Sequence, residues 1–117
     1  MPSDRKINYL ELPAADFGSV KAFYESVFDW QFTDYGSEYT AFNDGFIDGG
    51  FFKSDLVSTT ENGAALIVLY ADDLEAVLQT VVDAGGTICK PIFSFPGGRR
   101  FQFHDPHGNE LAVWSDS

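Results

Sequence analysis

Basic residues and cysteine are scarce in this chain. Only 7 Lys and Arg stand against 18 Asp and Glu, a formal net charge of −11. A field of that sign repels phosphate backbones and anionic lipid surfaces, which argues against nucleic acid and membranes as partners. Cys89 is the single cysteine, so no internal disulfide can form; that suits a reducing compartment. No apolar run reaches the length of a bilayer span. The stretch Met1-Pro2-Ser3-Asp4-Arg5-Lys6 leads into a strand-like segment with no apolar secretion-signal core behind it. The expected location is therefore cytoplasmic. Gly-rich phosphate loops, Ser-His-Asp signatures and CxxC pairs are missing too.

Aromatic side chains, by contrast, are plentiful. They make up 16% of the 117 residues, and 12 residues are Phe. Most of these rings belong in a core, and a minority can line a cavity. Hydrophobic residues at 44% and charged residues at 21% define a globular composition. The length fits one domain over residues 1–117. In a strand without a neighbouring His, Cys89 reads as a buried structural thiol.

Ile7 to Pro13 alternates as a strand, with Leu10 and Leu12 on one face and Tyr9 and Glu11 on the other. Asp16 offers a helix N-cap. Val20, Phe23, Tyr24, Val27 and Phe28 then form one apolar stripe. Short strands are expected at Trp30 to Asp34, Glu38 to Phe42 and Phe46 to Lys53, with Gly49-Gly50 marking a bulge or a close approach. Residues 54–63 are polar and aperiodic and read as a linker. A second set follows: a strand at Ala65 to Tyr70, a cap at Asp72-Asp73, and the stripe Leu74, Val77, Leu78, Val81, Val82. Gly85-Gly86 end that helix. Strands near Thr87–Phe95, Arg99–His104 and Asn109–Ser115 complete it.

The two halves repeat one order: strand, helix, three strands. Leu12-Pro13-Ala14-Ala15-Asp16-Phe17 lies over Leu69-Tyr70-Ala71-Asp72-Asp73-Leu74. Module one spans about 6–53 and module two about 64–115. A four-stranded sheet covered by one helix buries one face only, so two such half-sheets present a cupped surface. A cleft between repeats is a natural ligand site.

Leu12-Pro13-Ala14-Ala15-Asp16, Phe23-Tyr24-Glu25-Ser26-Val27-Phe28 and Asp105-Pro106-His107-Gly108-Asn109, set in this doubled βαβββ pattern, resemble the vicinal oxygen chelate superfamily. That group includes glyoxalase I, bleomycin-resistance proteins and extradiol dioxygenases. The resemblance implies an α+β fold of two βαβββ modules, a curved, mainly antiparallel cupped sheet, and commonly a homodimer. Metal-using members carry His, Gln or Glu on the first and last strand of each module. Those positions fall here on Tyr9, on Leu66, on Ala112, and on the strand whose only carboxylate is Asp48. Leu66 and Ala112 have no lone pair to donate, and a phenol is a poor ligand near neutral pH. Neither a bound metal nor another cofactor is expected.

Glu11 shares a face with Tyr9. Against aromatic walls its carboxyl pKa would rise, suiting a general base or a seat for a cationic ligand; otherwise it is a solvated or Arg-paired edge charge. Glu110, Ala112 and Trp114 share the side of the last strand that faces the cleft or a dimer partner, and Trp114 is either a stacking wall or ordinary packing. Arg99 and Arg100 point to opposite faces, so only Arg100 is a candidate clamp for a ligand carboxylate or phosphate, unless it pairs with a surface acid. His104 and His107 are too few for a metal site, and Asp105-Pro106 reads as turn chemistry. The expected function is metal-independent small-molecule binding of the glyoxalase/bleomycin-resistance type, through Tyr9, Glu11, Leu66, Arg100, Ala112 and Trp114. The alternatives are a lyase or isomerase with Glu11 as its base, and a metal enzyme with atypical ligands.

Overall fold

Two aspartates start the two helices in the same way. The structure, a computed structural model, describes residues 2–117. Strand β1 (Tyr9–Ala14) leads to Asp16, whose carboxylate accepts from the Gly18 backbone N–H at 3.0 Å and caps helix α1 (Phe17–Phe28). Asp29 ends the helix in the left-handed conformation, φ 58°. Strands β2 (Gln31–Asp34), β3 (Tyr39–Asn43) and β4 (Asp48–Lys53) close module one. In module two, β5 (Ile67–Tyr70) leads to Asp73, which accepts from the Ala76 N–H at 3.1 Å and caps α2 (Leu74–Asp83). Then come β6 (Thr87–Phe95), β7 (Gly98–His104) and β8 (Glu110–Ser115).

Each module folds its strands into its own mixed sheet, in the orders β1-β4-β3-β2 and β5-β8-β7-β6. The first strand of each runs parallel to the last, and the other neighbours are antiparallel. The registers correspond: Glu11 lies opposite Gly50 as Val68 lies opposite Ala112.

Alternation places Leu12, Ala14, Phe42 and Phe51 on the helix side of the first sheet, and Phe101, Phe103, Leu111 and Val113 on that of the second. Together with Val20, Phe23, Tyr24, Trp30, Leu74 and Val81 they form one connected core. The α1 rings bridge the modules. Tyr24 stacks on Trp30 at 4.3 Å and lies 5.6 Å from Phe51, while Phe23 and Phe28 reach Phe103 at 5.8 and 6.0 Å. Burying each such ring stabilises by roughly 1.5–3 kcal/mol.

A polar lock ties the modules a second time. The Asp105 carboxylate accepts from the backbone N–H groups of His107, Gly108 and Asn109 and from the Tyr24 hydroxyl at 2.8 Å. Asn109 donates to the Pro13 carbonyl on β1 at 2.8 Å and accepts from the Ser58 N–H at 2.9 Å. His107 accepts from the Ala15 N–H and donates to the Leu56 carbonyl. Asp105 and Asn109 are both buried. Burial holds the Asp105 carboxyl above its ordinary value, although the Tyr24 hydroxyl and three backbone N–H groups pull the other way. Burial, then the Asp105 charge, pushes the Tyr24 phenol well up.

Several local expectations change. The first strand begins at Tyr9. Gly49 and Gly50 sit in unbroken register with β1 and β3, so they mark a close approach and not a bulge. A Cβ on Gly49 would lie 2.5 Å from the Leu10 carbonyl oxygen. The register irregularities lie in β6, between Ile88 and Lys90 and between Lys90 and Phe93. Cys89 falls at the first of them and is exposed, not buried. Val82 is also exposed, because α2 presents only Leu74 and Val81 fully to the core.

Candidate functional site

The side chains left on the concave faces are those that alternation turns away from the helices. On module one these include Tyr9 and Glu11 from β1, Tyr39 from β3, and Asp48 and Gly50 from β4. The Tyr9 and Tyr39 hydroxyls hydrogen-bond to each other, and Tyr39 donates to Glu11 Oε2 at 3.0 Å. Gly50 makes room for this: a Cβ there would lie 2.0 Å from the Tyr39 hydroxyl. Desolvation, then the hydrogen bonds to Tyr9 and Glu11, hold the Tyr39 phenol well above its ordinary value. Tyr9 and Glu11 themselves are exposed. The aromatic burial expected around Glu11 is therefore absent from the single chain. Asp48 accepts from Asn43 at 2.8 Å.

On module two the concave face carries Val68 and Tyr70 from β5, Arg100, Gln102 and His104 from β7, and Glu110, Ala112 and Trp114 from β8. Glu110 is nearly buried, at 9% exposure, and is held on three sides. It accepts from the Thr60 N–H and hydroxyl, both at 2.8 Å, and from the Gln102 amide. Burial pushes its carboxyl up, but the Thr60 and Gln102 hydrogen bonds outweigh that and leave it below the ordinary value. With its amide nitrogen on Glu110, Gln102 turns its oxygen to Arg100 Nη2 at 3.1 Å. Arg100 also stacks on Phe93, its Cζ 5.2 Å from the ring centre. Trp114 meets Tyr70 edge-on at 5.1 Å. Desolvation, then the Glu110 charge, raises the Cys89 thiol.

The sequence-predicted residues thus form two groups. Tyr9 joins Glu11 through Tyr39, and Arg100 pairs with Trp114 across β7 and β8. Ala112 is buried beside Gln102. Leu66 precedes β5, half-buried, in the register position opposite Glu110. Among the described residues no hydrogen bond or strand pairing joins one group to the other. Arg99 faces the helix side, where its guanidinium grips Glu75.

Sequence reasoning overlooked Tyr39, Gln102, Lys90, Phe93 and Thr60, and placed Glu110 on the face of Ala112 and Trp114 without giving it a role. Alternation from Arg100 implied Gln102. Thr60 enters from the linker, which has no periodic signal.

Two hollows adjoin these faces, besides one of about 540 Å³ against Ser3, Lys6, Asn8 and Asp48. One of about 410 Å³ opens between β1 and β5, against Leu10, Trp30, Phe42, Ile67 and Leu69, with Asp44 and Tyr70 also on its lining. The other, about 370 Å³, lies on module two against Thr60, Lys90, Gln102, His104 and Glu110. Convergent polar groups give a ligand its orientation, and of these two hollows only the second supplies several.

The donor set does not fit a metal. Of the positions that the resemblance assigns to ligands, Tyr9 is hydrogen-bonded to Tyr39, Asp48 is hydrogen-bonded to Asn43, and Leu66 and Ala112 carry no donor atom. Among the described residues no three His, Cys, Asp or Glu side chains converge.

This architecture defines a glyoxalase-like α+β protein of paired βαβββ modules. Residues 6–113 match the family model described as the Glyoxalase/Bleomycin resistance protein/Dioxygenase superfamily, and the chain belongs to that superfamily. It is 29% identical over 119 residues to a glyoxylase-like domain-containing protein of Didymella fabae, covering 92% of this chain and 91% of that one. It is 24% identical to the putative glyoxylase CFP32 of Mycobacterium tuberculosis over 92% of this chain, but spans only 44% of that protein. Among solved structures, the fosfomycin resistance protein FosX of Listeria monocytogenes superposes with TM-score 0.79 at 16% identity, over 98% of this chain and 94% of that one. A glyoxalase/bleomycin resistance protein/dioxygenase family enzyme of Burkholderia phytofirmans gives 0.77 at 15%, over 94% and 98%. These likenesses show the fold. No helix among the described residues is long and apolar enough to cross a membrane.

Proposed function

We infer that this protein is a small-molecule binder of the glyoxalase/bleomycin-resistance type, taking its ligand on the concave faces without a metal. One observation supports the reading: hydrogen-bonding side chains gather on both concave faces, while the positions that the resemblance assigns to metal ligands carry Tyr9, Leu66 and Ala112. The working unit is a homodimer. Strands β1 and β5 each pair on one side only within their sheets, and Tyr9, Val68 and Tyr70 stand 42–48% exposed beside those edges. A second copy laid across them would bring the Tyr9–Tyr39–Glu11 group to the Arg100–Gln102–Glu110 group. An exposed free thiol suits a cytoplasmic setting.

A panel of planar and hydrophobic compounds tests the reading by thermal shift. Saturable stabilisation is expected, altered by Glu11→Gln; an unmoved melting point across the panel contradicts it. The Tyr39–Glu11 hydrogen bond favours a second reading, a metal-free lyase or isomerase with Glu11 as base. That reading requires turnover that follows the titration of one carboxyl and disappears in Glu11→Gln.

A further inference from the structure

We propose that the concave face of module two is a cradle for a planar organic anion, an aromatic carboxylate, held by Arg100 and Lys90. The inference rests on the small-molecule reading above and names the ligand's class.

The cradle begins with backbone irregularity. Along β7, Gln102 and Arg100 are two residues apart and share a face. Their partners on β6, Lys90 and Phe93, are three apart. The extra residue is a bulge, and it restores to the concave face a side chain that strict alternation would send away. Lys90 and Phe93 therefore both face Gln102 and Arg100. The Lys90 ammonium lies 4.8 Å and the Arg100 guanidinium 5.2 Å from the centre of the Phe93 ring. Two cations converge on one aromatic ring, in a chain with 18 acids and 7 bases.

Neither cation is neutralised by an ion pair. Among the described residues Arg5, Lys21 and Arg99 pair with Asp4, Asp34 and Glu75, and no carboxylate lies within ion-pair distance of Arg100 or Lys90. Arg100 Nε is buried and has no hydrogen-bond partner. Leaving such a donor unsatisfied is costly, which favours an acceptor at this guanidinium. The nearby Glu110 carboxylate does not fill that role, because it accepts from Thr60 and Gln102. Through Gln102 it orients the guanidinium instead. His104 lies opposite Glu110, beyond the cation pair.

The shape selects within the class of anions. A guanidinium presents a planar set of donors that matches a carboxylate. Trp114 sits opposite Arg100 on β8, with Phe95 at 6.3 Å from it. A flat aromatic body stacks against such walls while its carboxylate meets the cations.

The test is a titration of the intact protein with 2-naphthoate and with neutral 2-naphthamide, followed by calorimetry and Trp fluorescence. Saturable 2-naphthoate binding is expected, about tenfold tighter than the amide. Arg100→Gln should weaken it by a similar factor, Lys90→Gln less, and Arg99→Gln not at all. Lys90 is exposed, so its variant keeps the test valid should Arg100→Gln fail to fold. Equal binding of acid and amide overturns the anion cradle and leaves the small-molecule reading standing. So does equal weakening by Arg99→Gln and Arg100→Gln. If 2-naphthoate does not bind, the cradle falls, and the wider reading falls with it only if the thermal-shift panel is also silent.

Discussion

Module one and module two share a backbone plan and divide their chemistry differently. Both start the helix on an aspartate, pair first and last strands in parallel, and turn Phe and aliphatic side chains to the helices. On the concave side they differ. Module one places Tyr9 and Glu11 on the first strand, opposite Asp48 and Gly50 on the last. Module two places Val68 and Tyr70 on the first strand, with Leu66 just before it, and Arg100, His104 and Glu110 on the last two. The helix-facing surface is constrained by packing at near-crystalline density. The concave faces carry no helix, and the side chains there differ between the modules.

Truncating a core ring should have the largest effect and breaks the comparison if the halves are independent. Phe51→Ala in module one and Phe103→Ala in module two each leave a cavity in a fully buried site and should cost about 3–5 kcal/mol by denaturant titration. Because α1 rings contact both sheets, either change should unfold both modules together. Trp30 and Trp114 then report the same midpoint; separate midpoints would show two independent units.

The lock should come next. Tyr24→Phe removes a buried donor to Asp105 and should cost roughly 1.5–3 kcal/mol. The pH dependence has opposite signs at two carboxyls of module two. The folded pKa of Asp105 is raised, so its contribution is full below the ordinary aspartate value and is lost as pH rises through the folded value. The folded pKa of Glu110 is lowered, so its contribution is full above the ordinary glutamate value and is lost as pH falls through the folded value. Stability curves of Asp105→Asn and Glu110→Gln against the parent should therefore diverge in opposite directions on acidification.

Gly50 and Ala112 sharpen the contrast, because they hold the same register position. A methyl group is already accepted at Ala112. Gly50→Ala would strike the Tyr39 hydroxyl, displace that ring and separate Tyr9 from Glu11, at about 1–3 kcal/mol. Ala112→Gly should cost only about 0.5–1 kcal/mol. The smallest effects belong to the surface pairs. Removing Lys21 from Asp34 in module one, or Arg99 from Glu75 in module two, should move the melting point by little more than its error.

The element order, both caps and both helix stripes were legible in the sequence, because periodicity and capping are local. The opposite facing of Arg99 and Arg100 was legible for the same reason. The Tyr39 hydrogen bond to Glu11 spans 28 positions, and the Thr60 strap onto Glu110 spans 50; such contacts have no periodic signature. The exposure of Cys89 and the common facing of Lys90 and Phe93 come from the irregular β6 register, which alternation cannot foresee. Glu11 was placed on the correct face, but its solvent exposure depends on what lies across from it.

The most direct test of metal-free binding is equilibrium dialysis of the intact protein against Mn²⁺, Fe²⁺, Ni²⁺ and Zn²⁺, followed by elemental analysis. The arrangement of Tyr9, Leu66 and Ala112 predicts no saturable uptake of any of the four. One ion retained per chain, and lost on Glu11→Gln or Glu110→Gln, would contradict it.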